Sequence, residues 1–318
     1  MRKLFVLFIT LILSAATIVS CSTPSNKTSS TTSSQSTASA SGWISQKNPG
    51  YYQGSGLVTV WGTSSSDVFA VGTQGTIIHY NGKVWATMTS GTTDDLYGIW
   101  GSSSSDVYAC GTNGIILHYD GKTWNPMVSN SAVIFTRIWG SSPSDIFAVA
   151  TLGAIQHYDG KTWSGMTISV PVNWFYDVWG TSSSDVFAVG GGGTILHYDG
   201  NAWTNMSSGT TNTIAGIWDN SPSNAFAVGF GGTILHYDGN TWSSMTSGTN
   251  ALLTGIWGDS PSDIFVVGGG GIVLHYDGNT WSSLSSGSTT NFYSVWGTSS
   301  SDIFAMGADG SIWHYSGN

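Results

Sequence analysis

The sequence predicts an all-β chain closed into a seven-bladed β-propeller of four-stranded blades. Three observations carry this expectation. A tryptophan preceded by isoleucine or valine recurs at Trp61, Trp100, Trp139, Trp179, Trp218, Trp257 and Trp296, at intervals of 39, 39, 40, 39, 39 and 39 residues. All seven histidines keep step with it, at His79, His118, His157, His197, His236, His275 and His314. The two ends of the repeating region also complement each other. The last copy stops at SIWHYSGN (311–318) without a closing Trp segment, and the first follows SGWISQ (41–46), a Trp segment without the three that should precede it.

Within each copy the elements follow one another in the same order. In 214–245, IAGIW is followed by the turn DNSPSN, then AFAVG, a glycine-rich turn, TILHY, the tight turn DGN and TWSSM. Short runs of β-branched and aromatic residues between Gly, Ser, Asn and Asp read as strands, and Asp-Gly between two such runs is a hairpin signal. No helical period of adequate length appears after residue 41. Blade seven is expected to take three strands from the C-terminus and its outermost from Trp43–Gln46, which closes the ring.

Ahead of the propeller (residues 42–318), MRKLFVLFITLILSAATIVSC has the layout of an export signal: Arg2 and Lys3, an apolar run, then small residues. Ile18-Val19-Ser20-Cys21 resembles the lipobox of bacterial lipoproteins. That resemblance implies a signal peptide over 1–20, lipidation of Cys21 and a chain anchored to the bacterial cell envelope. Ser22, in place of an aspartate, favours the outer membrane or cell surface. Residues 21–41 are nearly all Ser and Thr and read as a flexible tether.

The segment DIFVVGGGGIVLHYDGNTW (263–281) resembles a kelch-type blade, with an apolar strand ending in glycines, then a tyrosine and a tryptophan. Its Asp-Gly-x-Thr-Trp part resembles the Asp-box of sialidase-like propellers, one residue short between Asp and Trp. The resemblance covers residues 43–318 and implies the propeller fold.

Composition excludes several functions. All 17 acidic residues are aspartates, and beyond the tether the basic residues are Lys47, Lys83, Lys122, Lys161 and Arg137. Nucleic-acid binding needs basic clusters that this chain lacks, and contact with a membrane is expected through the lipid anchor alone. A sialidase-like site would need an arginine cluster and a glutamate. A copper oxidase would need a converging Tyr/His/Cys set, yet every histidine belongs to the repeat. Cys110 stands in VYACG where other blades have valine, so it reads as a small buried hydrophobe. Neighbouring blades stack about 10 Å apart, too far for successive histidines to share one metal ion. Each histidine is instead expected to pair with the Asp, or Asn224 in blade five, that opens the preceding strand. The chain is therefore expected to be a monomer with no catalytic residues, no cofactor and no metal.

Positions equal in every blade serve the blade, whereas positions that vary are free to serve a ligand. The loops joining the fourth strand to the next first strand vary, as do those joining the second to the third, and both lie on one face. The candidate ligand-binding residues there are Tyr51, Tyr52, Asp94, Asp95, Trp174 and Phe230. Arg137 and Asp177, at equivalent inner-strand positions in adjacent blades, complete the set of candidate ligand-binding residues and are expected to pair at the channel mouth. The expected function is a non-catalytic envelope scaffold that binds protein or glycan. Its alternatives are an assembly factor acting on a partner protein and a degenerate carbohydrate-active hydrolase, for which Asp94-Asp95 is the one adjacent carboxylate pair.

Overall fold

The computed structural model describes residues 42–50 and 56–317. Cys21, the expected signal and tether, and Tyr51 and Tyr52 lie outside the described residues. Within them the chain forms seven antiparallel four-stranded sheets, six of them with their strands in chain order from the centre outward. Blade one consists of Leu57–Ser64, Asp67–Gly72, Ile77–Tyr80 and Trp85–Met88, and the later blades repeat this plan. The fourth strand of blade three is the shortest of its kind, Trp163–Gly165.

Blade seven is assembled from both ends, as the complementary termini predict. Phe292–Ser299, Asp302–Gly307 and Ile312–Tyr315 are completed by Trp43–Gln46, with Trp43 opposite Tyr315 and Gln46 opposite Ile312. Trp43 is fully buried, its ring 5.4 Å from that of Tyr315. The closing strand is also tied sideways, because the Trp85 indole N–H of blade one donates to Gln46 Oε1 at 2.6 Å.

After its opening Asp or Asn, the second strand of each blade is apolar because it is covered on both faces. Val68, Phe69, Ala70 and Val71 are buried, and Val-Phe-Ala-Val alternates size so that stacked blades interdigitate. On the constant face, Asp120 Oδ1 accepts the N–H groups of Lys122 and Thr123 at 2.9 and 2.8 Å. The same arrangement recurs at Asp159, Asp199, Asp238 and Asp277. These backbone donors hold all five carboxyls below the usual carboxylate range. On the variable face, the turn between second and third strands ends in a left-handed glycine. At Gly75 (φ +68°) a Cβ would fall 2.1 Å from the Thr92 carbonyl oxygen of the next link. Only glycine fits there.

Candidate binding face

The repeated histidines are structural. Each imidazole Nε2 lies 2.6–2.8 Å from its partner's Oδ1, Asp in six blades and Asn224 in blade five. In five blades the second carboxylate oxygen accepts a hydroxyl from Thr63, Ser102, Ser141, Thr181 or Thr298. The rings lie over the aromatic residue of the second strand, as with Phe304 and His314 at 4.1 Å. His236, whose partner Asn224 carries no charge, has its pKa lowered by burial. Each set fastens the third strand of a blade to its first two. Cys110 is buried, and burial pushes its thiol up to about 12, so it is chemically inert as well as enclosed.

The inner strands, all eight residues long, line a central channel. Arg137 crosses it. Its Nη1 donates to Thr59 Oγ1 of blade one (2.9 Å), to the Tyr97 carbonyl of blade two (2.8 Å) and to the Thr136 carbonyl (3.2 Å). Its Nε lies 3.5 Å from Asp177 Oδ1 of blade four. Asp177 in turn accepts the N–H groups of Val178 and, in blade five, Ile217, both at 3.0 Å. One ion pair thus links five consecutive blades. Burial pushes the Asp177 carboxyl up to about 6, against the opposing pull of Arg137 and the two N–H donors. The space left beside the pair is about 70 Å³, enough for a few waters.

The other candidate residues are dispersed around the ring. Asp95 Oδ1 accepts the Gln74 N–H of the blade-one turn at 2.8 Å. Asp94 Oδ1 accepts from Asn113 Nδ2 and Thr112 Oγ1 of the blade-two turn, at 2.5 and 3.3 Å. The two carboxylates clip turns of different blades. Asn291 repeats the Asp95 role, accepting the Gly270 N–H at 2.7 Å. Phe230 is half-buried with its ring 6.5 Å from that of Tyr176. Trp174 is half-exposed and its backbone bridges Thr151 of blade three.

Beside Trp174 stands a residue absent from the sequence-derived set of candidates. Leu152, 77% exposed, occupies the left-handed position of its turn with φ +60°, and its N–H donates to the Asn173 carbonyl at 2.7 Å. The same turn position holds Gln74, Asn113, Gly192, Gly231, Gly270 and Asp309 in the other blades. That one-letter departure, apolar where the others are polar or glycine, is its sequence signal. Val128, on the link leading into blade three, is 75% exposed.

A closed ring with a blocked channel and irregular loops on one face defines the protein as a seven-bladed β-propeller. Among solved structures it is similar to YCF48 bound to a D1 peptide, at 17% identity and a TM-score of 0.73 over 87% of this chain and 97% of that one. It is also similar to YCF48 from Cyanidioschyzon merolae, at 16% identity and 0.70 over 86% and 98%. The WD40 β-propeller domain of Doa1 matches at 13% identity and 0.71 over 86% and 95%. No family model matches the sequence, and no curated protein does. At these identities the likeness is one of fold.

Proposed function

We propose that this propeller is a non-catalytic binding scaffold that docks a protein on the sector of its variable face built by blades three and four. Leu152 is the observation that carries the reading. A left-handed backbone costs an L-residue about 1–2 kcal/mol. Leaving a leucine side chain in water forgoes roughly 1.5–3 kcal/mol of burial. Both disadvantages meet at one residue where glycine serves in three other blades, and strain at an exposed apolar position is the mark of a surface shaped for a partner. A fold neighbour bound to a peptide, YCF48 with D1, supports a protein as the partner. The scaffold is proposed to work at the bacterial envelope, held by a lipid on Cys21, and its kelch- or Asp-box-like blade character belongs to the same proposal.

The test is affinity capture from the envelope fraction of the source cells, with the full chain and its Leu152→Gly variant, read by mass spectrometry. The variant is expected to recover the partner about tenfold less well, a loss of about 1.4 kcal/mol. It is also expected to be more stable by about 1 kcal/mol in urea denaturation, since glycine accepts the backbone angle. Equal recovery by the two chains would sink the protein-docking reading. A glycan array bound by the unmodified chain and lost in Trp174→Ala would replace it with a lectin reading.

A further inference from the structure

Six blades have glycine directly after the inner-strand tryptophan: Gly62, Gly101, Gly140, Gly180, Gly258 and Gly297. In each, a Cβ would come within 2.6–3.0 Å of the preceding blade's tryptophan ring. Blade five has Asp219 there. The preceding tryptophan, Trp179, has moved accordingly. The other six rings lie 6.1–6.4 Å from the aromatic ring of their own second strand. Among the described residues Trp179 has no such pairing, and its indole N–H donates to the Asp219 carbonyl at 3.2 Å instead.

The Asp219 side chain is enclosed, the residue being 3% exposed, and neither carboxyl oxygen meets a protein donor. It faces Asp185 of blade four. The Asp185 side chain is enclosed as well, 3% exposed against 16–22% for the corresponding aspartates of five other blades. Asp185 already accepts from His197 Nε2 at 2.8 Å and from the Thr181 hydroxyl. Two carboxylates offer each other only acceptors, so their contact is a hydrogen bond only when one of them carries a proton.

We propose that Asp185 and Asp219 share one proton and form a proton-binding clasp on the seam between blades four and five, closed while the proton is held and pushed apart by like charge when it leaves. This clasp is independent of the docking sector. Burial and the neighbouring Asp185 charge push Asp219 up to about 8. Burial raises Asp185 too, but the hydrogen bonds from His197 and Thr181 hold it below the usual range, so the proton resides on Asp219. The other groups facing the pair are His197, Thr181 and Trp179 from blade four, and Tyr237, beside Asp238, from blade five.

In the unfolded chain Asp219 ionises at the ordinary carboxylate value, so above about pH 4 only the folded protein retains the proton. The clasp's stability is therefore complete below that pH, declines as pH rises and is lost once Asp219 ionises near pH 8. The full chain, labelled with carbon-13 at its aspartate carboxyls, is titrated by NMR alongside Asp219→Gly, which restores the repeat residue. One carboxyl is expected to titrate near pH 8 and to be missing from the variant. Between about pH 5 and about pH 9 the unmodified chain is expected to lose about 5–10 °C in Tm relative to Asp219→Gly. Titration of every carboxyl below about pH 7, or parallel Tm profiles, would overturn the clasp. Should the variant fail to fold, the carboxyl titration of the unmodified chain decides alone.

Discussion

Trp43→Ala is expected to reduce folding stability by about 3–5 kcal/mol, the range for deleting a large buried aromatic. Trp43 is 0% exposed, belongs to the buried cluster that holds Phe265 and Ile303, and sits in the one strand that joins the two ends of the ring. Its loss leaves a cavity and loosens the closure together. Urea denaturation of the full chain measures the effect, with Trp124→Ala as the control because Trp124 holds the equivalent outer-strand position in an uninterrupted blade, at 7% exposure. The Trp43 variant should also admit protease at Ile312–Tyr315, the strand its own strand covers. A loss below about 1 kcal/mol would mean that the closing strand contributes little to the ring.

Arg137→Ala should be nearly as damaging, at about 3–5 kcal/mol, because removing one partner leaves the other charge enclosed and alone. Here it would strand Asp177 and withdraw the donor from Thr59 and the Tyr97 carbonyl across the channel. The double variant Arg137→Met with Asp177→Asn should recover most of the loss, since a neutral pair avoids the desolvated charge. The effect depends on pH in a definite direction. Asp177 is already raised to about 6, so between about pH 4 and about pH 6 the folded protein holds a proton that the unfolded chain has lost, and stability declines over that interval. Without Arg137 only the Val178 and Ile217 N–H groups oppose burial, so the carboxyl rises further and the decline continues to higher pH. The deficit of Arg137→Ala should therefore be larger at about pH 7 than at about pH 4, as thermal unfolding at the two values would reveal. A deficit that does not change with pH would place the damage in lost packing and not in the stranded charge.

The blades, their number and the composite seventh blade are legible in the sequence because they are properties of a period, and a period survives any uncertainty about single residues. The Asp–His pairs are legible for a related reason: a tight hairpin fixes which residues stand opposite one another, and twelve residues separate the partners in every blade. The pairing of Arg137 with Asp177 follows from equivalent positions in adjacent blades, but the reach of Arg137 to Thr59 and Tyr97 depends on side-chain length across a channel whose width no repeat encodes. Asp94 and Asp95 look available as a pair because adjacent letters suggest adjacent roles, whereas in a loop successive side chains diverge to separate turns. Leu152 and Asp219 were both visible as single departures from the repeat. Their meaning lies in a backbone angle and in a neighbour's displacement, which are properties of the folded chain.

The composite seventh blade also sets an order in time. Gln46 and His314, which meet side by side across it, are 268 residues apart. At ordinary rates of protein synthesis the later of the two emerges on the order of 15–50 s after the earlier. Blades one to six have all their strands before then, each built from neighbouring segments. Trp43–Gln46 has no sheet to join until Ile312–Tyr315 arrives. Throughout that interval an apolar edge carrying a tryptophan is open to any passing strand, and whatever guards the nascent chain must guard this segment longest. The first strand to be made is the last to be placed.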